Sequence, residues 1–290
     1  MFEIKCPIDP KEYMNLHLDM LKLLQYDAIK SCGLSKDVID LTTRLNWHCI
    51  MLTQPCMELI WPGFVWQTEI LERSLLEATI KLIYISIDKT KIDQKVDEFQ
   101  NVISDINQYK RRKEMVELLN GVNFDNDVTK HTYQTVTKNN VDMKFNKNER
   151  KKILERWTFN SMTKEIDSYK IDGFDRLKYF QNYYSNTSHY IHVDIDCLNL
   201  IWDRENRDAD EEELLTLAHM GRELMDLYIF NTMRTYSLLR LYNINIKTLY
   251  QYLESKKNII DKISLLEKKW NDFNRDHYMK FWIGSKNLIK

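Results

Sequence analysis

Helix breakers are scarce in this chain: its 290 residues contain only six Gly and four Pro, and Pro7, Pro10, Pro55 and Pro62 all fall in the first quarter. That scarcity excludes a fold of many short strands joined by tight turns and favours long helices. The five cysteines, Cys6, Cys32, Cys49, Cys56 and Cys197, are odd in number and form no CxxC. A disulfide frame or zinc finger is thereby disfavoured, and the cysteines read as reduced thiols, mostly small core residues. Charge of one sign is also lacking: 42 Lys+Arg stand against 43 Asp+Glu, a net −1, so no global field recruits nucleic acid or an anionic membrane. No apolar run approaches the roughly 18 residues that a bilayer span requires. The opening "MFEIKCPIDPKEY" lacks the basic flank and apolar stretch of a leader. These absences predict a soluble, cytoplasmic protein without membrane contact. No Walker loop, GxGxxG or kinase signature supports nucleotide use, and no cofactor is expected.

What is present is helical periodicity. With 43% hydrophobic and 29% charged residues the composition is globular. Asp9 followed by Pro10 predicts a helix start, with Gly33 as a stop. A second helix is expected from Ser35 or Asp37, ending before Pro55, with "PCMELIWPG" as a linker. In "WQTEILERSLLEATIKLIYIS", Trp66–Ser86, apolar residues nearly encircle the axis, the pattern of a central helix. Helices are also predicted through "KIDQKVDEFQNVISDINQYKRRKEMVELLNG", "NERKKILERW" and "FDRLKYFQNYYSNTSHYIH", with a loop or short hairpin over 121–146. Two long segments close the chain, about 209–242 and 246–282, joined by "YNINI". The predicted fold class is all-α, a multi-helix bundle with a central apolar helix and a long C-terminal helical pair. The expected organisation is an N-terminal helical pair (1–63), a core carrying a polar motif (64–200) and a C-terminal hairpin (201–290), packed as one unit.

The central helix poses a question, because a buried charge is costly unless paired. Glu69, Arg73 and Glu77 lie four apart and share a stripe that Lys81 extends. In the Tyr-rich helix, Tyr184, Ser188 and His192 also lie four apart, as do Ser185 and His189. Facing each other, Arg73, Glu77, Ser188 and His192 would combine a guanidinium, a carboxylate, a hydroxyl and an imidazole. That set can do general acid–base work or hold an anion, and it can equally form an internal network that fixes register. "HYIHVDID" offers His189, His192, Asp194 and Asp196 as metal ligands with Glu77, but neither HExxH nor paired Glu-x-x-His motifs occur, so no metal is expected. The remaining histidines, His219 among them, read as interface or surface residues. Lys110, Arg111, Arg112 and Lys113 form the densest basic run, a candidate RNA surface or simply a solvated helix face.

At "ERSLLEATIKLIYI" and "YFQNYYSNTSHYIHVD", with the intervening "RWTFNSMTKEIDSY", the chain resembles a bacterial helical family, the domain of unknown function numbered 5677. The likeness spans roughly residues 64–200. It implies an all-helical fold, carries over Arg73, Glu77, Ser188 and His192, and brings no established activity. A more distant similarity is to HEPN-type helical ribonucleases of defence and toxin systems. Their Arg followed five positions later by His is absent here: Arg44 precedes His48 by four, and Ala78 stands five after Arg73.

Two functions follow as expectations. One is a helical sensor or scaffold, in a defence or toxin setting, whose polar core is structural and whose C-terminal helices bind a protein partner or a second copy. The other is a metal-independent, RNase-like hydrolase with His192 as general base or acid, Glu77 orienting it and Arg73 holding phosphate.

Overall fold

The computed structural model describes residues 6–121, 127, 130–131, 134, 144–174, 177–192 and 195–286; inside these helices the side chains of 26, 118–121, 178, 186–192, 196–197, 200, 204–205, 270, 273–274 and 276–286 lie outside the description. Among the described residues there is no strand. The fold is an all-α bundle, as the scarcity of breakers predicts. Of the segment 121–146, expected as a loop or short hairpin, the described residues 121, 127, 130–131 and 134 are helical and 144–146 are not; the others lie outside the description.

Helix starts follow local chemistry. Helix α1 (Pro10–Lys22) is capped by the Asp9 carboxylate, which accepts from the Glu12 N–H at 2.7 Å, and has Pro at its first position. A short α2 (Tyr26–Ser31) precedes Gly33, whose φ of +74° suits a residue without Cβ. Ser35 caps α3 (Lys36–Ile60).

Here the sequence expectation is corrected: α3 does not end before Pro55 but carries it inside and runs on to Ile60. An interior proline costs roughly 3 kcal/mol through its missing N–H and its clash with the preceding turn. Beyond it the helix buries Cys56, Met57 and Ile60, and Trp61 donates to the Ile8 carbonyl at 3.1 Å. At roughly 1.5–3 kcal/mol per fully buried large apolar side chain, that burial outweighs the proline penalty.

The chain then reverses at Gly63 (φ +88°) into α4 (Val65–Ser86), which is buried on nearly every face. Next come α5 (Ile92–Asp97), a π turn (Glu98–Val102) and α6 (Ile103–Gly121). The π turn places Glu98 to accept from the Trp157 indole at 2.9 Å and to pair with Arg156. After α7 (Lys147–Arg156), begun by a capping box of Asn146 and Glu149, follow α8 (Phe159–Ser168), α9 (Leu177–His192) and α10 (Ile195–Glu205). The long α11 (Ala209–Leu241) starts on Asp208 and three acids that favour its dipole. It ends where Asn243, at φ +59°, lets the Ile244 N–H return to the Leu239 carbonyl. The second long C-terminal segment is divided into α12 (Lys247–Ser255) and α13 (Lys257–Lys286).

Helix α4 is the axis of the bundle: α3, α8, α9 and α11 all pack on it, while α11 also packs along α13, α1 and α3. Small polar side chains pin these contacts, with Ser86 to Ser237 at 2.6 Å and Thr42 to the Tyr242 hydroxyl at 2.8 Å. α11 and α13 approach so closely at Gly221 that a Cβ there would lie 2.4 Å from the Leu266 Cβ and 2.6 Å from its carbonyl carbon. Gly to Ala in an open helix stabilises by about 1 kcal/mol. At this crossing the sign reverses: Gly221→Ala is expected to lower stability by about 1–3 kcal/mol through overpacking, read as a lower melting temperature. A rise in melting temperature would show that the two helices have room to separate.

Candidate functional site

The charged residues of α4 divide into two groups that the stripe reading merges. The first is half-buried. Glu77 accepts from Lys81 at 2.7 Å and from the Tyr184 hydroxyl at 3.1 Å, and the Arg73 guanidinium lies over the Tyr184 ring at 4.2 Å. Tyr184 itself stacks on Phe159 with centroids 4.0 Å apart. Partial burial tends to raise the Glu77 pKa, but the Lys81 hydrogen bond and charge, then Tyr184 and Arg73, pull it below the usual value. α9 therefore packs on α4, with Tyr184 as the contact to Arg73 and Glu77. The expected approach of Ser188 or His192 to them concerns side chains outside the described residues. Lys81 also lines a cavity of about 670 Å³ together with Asp40, Arg44 and Trp157. In the basic run, Lys110, Arg111 and Lys113 are exposed and Arg112 is half-buried, on a helix that packs mainly on the π turn and α7.

The second group is sealed in the interior. Glu69 and Glu72 of α4 and Glu223 and Asp226 of α11 are 3%, 0%, 0% and 1% exposed. Arg222, buried at 7% exposure, pairs with Glu69 and reaches to 3.5 Å from Glu223. His219 Nδ1 lies 3.6 Å from Glu69 Oε1, and its ring packs against Trp66 with centroids 5.3 Å apart. From α9 the Tyr183 hydroxyl donates to Glu72 at 2.7 Å. Glu69 and Glu223 thus contact the guanidinium directly, while Glu72 and Asp226 lie near enough to feel its charge.

Protonation relieves part of that imbalance. Burial, and then the charge of Asp226, pushes the Glu72 pKa well above the carboxylate range; burial, and then Glu72, does the same to Glu223. The same surplus of negative charge holds Arg222 firmly protonated against the cost of its own burial. Even so, Glu72 Oε1 and Glu223 Oε2 have no hydrogen-bond partner among the described residues. One ligand atom each from Glu69, His219 and Glu223 lie within 4.8 Å of one another.

His219 is thus corrected from a surface or interface residue to a member of the most enclosed polar cluster described. The α11 residues escape a reading centred on the 64–200 likeness, but the signal was there: "HMGRELMD" sets His219, Arg222, Glu223 and Asp226 at i, i+3, i+4 and i+7, one stripe of an apolar helix. Glu72 escapes because the four-residue spacing from Glu69 leads to Arg73, whereas the three-residue spacing leads inward.

Fold and site together define an all-α bundle protein with an interior charged centre. A family model described as a family of unknown function (DUF5677) matches residues 41–210, more than half of the chain, and the chain belongs to that family. The match supports that resemblance and not the more distant ribonuclease likeness. No curated protein and no solved structure matches the chain.

The two groups respond differently to substitution. Glu77 keeps 34% of its side chain exposed, so Glu77→Ala is expected to cost about 1 kcal/mol or less, because water solvates what remains. Arg222→Ala strands buried carboxylates and is expected to cost about 3–5 kcal/mol. Denaturant melts of the two variants check the contrast, and equal losses would overturn the division into an outer and an inner group.

Proposed function

We propose that the chain is a helical sensor or scaffold whose charged centre holds the bundle together and whose outer faces bind a second copy of the chain. The observation that supports this reading most is on α10: Ile195, Leu198 and Trp202, at i, i+3 and i+7, are 66%, 49% and 72% exposed. Such a stripe on a helix is the form in which helices dock against protein. Tyr250 of α12 and Leu265 of α13 are exposed as well, single apolar side chains on the C-terminal helices. A net charge of −1 sets little electrostatic repulsion against self-association. Among the described residues no helix is long and apolar enough to cross a membrane, so a bilayer span does not account for this surface. Size-exclusion chromatography with light scattering is expected to show a concentration-dependent dimer that Trp202→Glu reduces to monomer. A monomer at every concentration, or a dimer indifferent to Trp202, overturns the reading.

A second reading draws on the outer group. Arg73 and Glu77 are only half-buried, so a metal-independent hydrolase using them with His192 on RNA has a substrate-accessible place to act. Purified protein incubated with labelled single-stranded RNA separates the two. The sensor reading expects the RNA to stay intact, and cleavage that His192→Ala abolishes would establish the hydrolase instead.

A further inference from the structure

The inner group gathers four buried carboxyls, Glu69, Glu72, Glu223 and Asp226, about Arg222, which contacts Glu69 and Glu223. Two of their oxygens, Glu72 Oε1 and Glu223 Oε2, have no hydrogen-bond partner among the described residues. A buried carboxylate oxygen without a partner has given up its hydration for nothing, the situation in which a bound ion is to be looked for. Proton uptake neutralises a carboxyl and makes it a donor to a neighbour, whereas a cation neutralises the group and at the same time takes up the free Glu223 oxygen together with the His219 imidazole.

The geometry points to a divalent transition-metal site formed by Glu69 of α4 with His219 and Glu223 of α11. Their ligand atoms lie within 4.8 Å of one another, the spread from which three donors can converge on one ion. One imidazole nitrogen with carboxylate oxygens suits zinc, manganese or ferrous iron and does not suit a soft ion that wants thiolate. Glu72 and Asp226 stand three residues further along the same two helices, where their charge favours a cation without being needed as ligands. Tyr183 already orients Glu72 through its 2.7 Å hydrogen bond.

Arg222 is part of the design. In this structure its guanidinium supplies the positive charge that Glu69 and Glu223 share. Glu69 has two carboxylate oxygens, so it can give one to an ion and keep its pairing with Arg222 through the other.

Access is visible too. A cavity of about 180 Å³ opens between the start of α4 and the first turns of α11, lined by Gly63, Trp66, Gln67, Glu212, Thr216 and His219. His219, 1% exposed, belongs both to this cavity and to the cluster, so an ion entering there meets the imidazole first.

This inference rests on the sensor reading, giving it a divalent cation as the ligand sensed, but its test does not depend on self-association. Full-length protein is treated with a chelator, dialysed and titrated with Zn²⁺ and Co²⁺ by calorimetry. One equivalent per chain is expected, with affinity falling at least about 100-fold in His219→Gln and in Glu223→Gln and unchanged in the exposed control Asp97→Asn. Absence of stoichiometric binding, or binding unaltered in both variants, overturns the site. Should the variants not fold, X-ray absorption at the zinc edge of the wild type decides: a shell of nitrogen and oxygen with a single imidazole at about 2.0–2.1 Å is expected. Sulfur or two imidazoles in that shell would place the ion elsewhere. If the metal binds but the protein is monomeric, the self-association reading fails and the metal site stands.

Discussion

The pairing of Arg222 with Glu69 is the interaction on which the rest of the bundle depends. It joins α4, which packs on α3, α5, α8, α9 and α11, to α11, which links the C-terminal helices back to the N-terminal ones. A guanidinium in a buried interior is tolerable only with its charge answered, and Glu69, with Glu223 beside it, answers it. Sliding α4 past α11 by one turn would separate the pair and strand both charges. The register of the two longest-buried helices is therefore fixed by electrostatics as much as by packing.

That constraint explains why the neighbouring contacts are so close. Gly221 lies one position before Arg222, and its missing side chain lets α13 press on α11 directly opposite the charged centre. Tyr183 closes the α9 side with a hydrogen bond to Glu72, while Tyr184, the next residue, faces outward to Arg73 and Glu77. Adjacent tyrosines thus serve an interior and an outer group from one turn of helix. The division between a sealed inner set and a half-open outer set is a consequence of where α9 crosses α4.

Much of this architecture was legible in the sequence. Long proline-free periodic segments give the helices, and the all-round apolar pattern of Trp66–Ser86 marks α4 as central, because periodicity reports burial directly. Pro55 misled, since a local breaker rule omits the tertiary burial of Cys56, Met57 and Ile60 that carries α3 onward. The question posed by Arg73 and Glu77 leads to α4 and to its α9 neighbour, and to the outer of the two charged faces of α4. The inner face needs Glu72 and the His219–Asp226 stripe, and no feature of one strand of sequence says that two stripes 150 residues apart meet. The family match covers residues 41–210 and so stops short of the α11 half of the centre.

The central claim is that Glu69 and Arg222 are energetically coupled inside the bundle. A double-mutant cycle with Glu69→Gln, Arg222→Met and the combined variant, read by chemical denaturation, measures that coupling directly. The account predicts that each single change destabilises strongly and that the double variant recovers a large part of the loss, a coupling of about 1.5–3 kcal/mol. Losses that simply add, within about 0.5 kcal/mol, would mean that the two side chains do not depend on each other and that the charged centre does not set the register of α4 on α11.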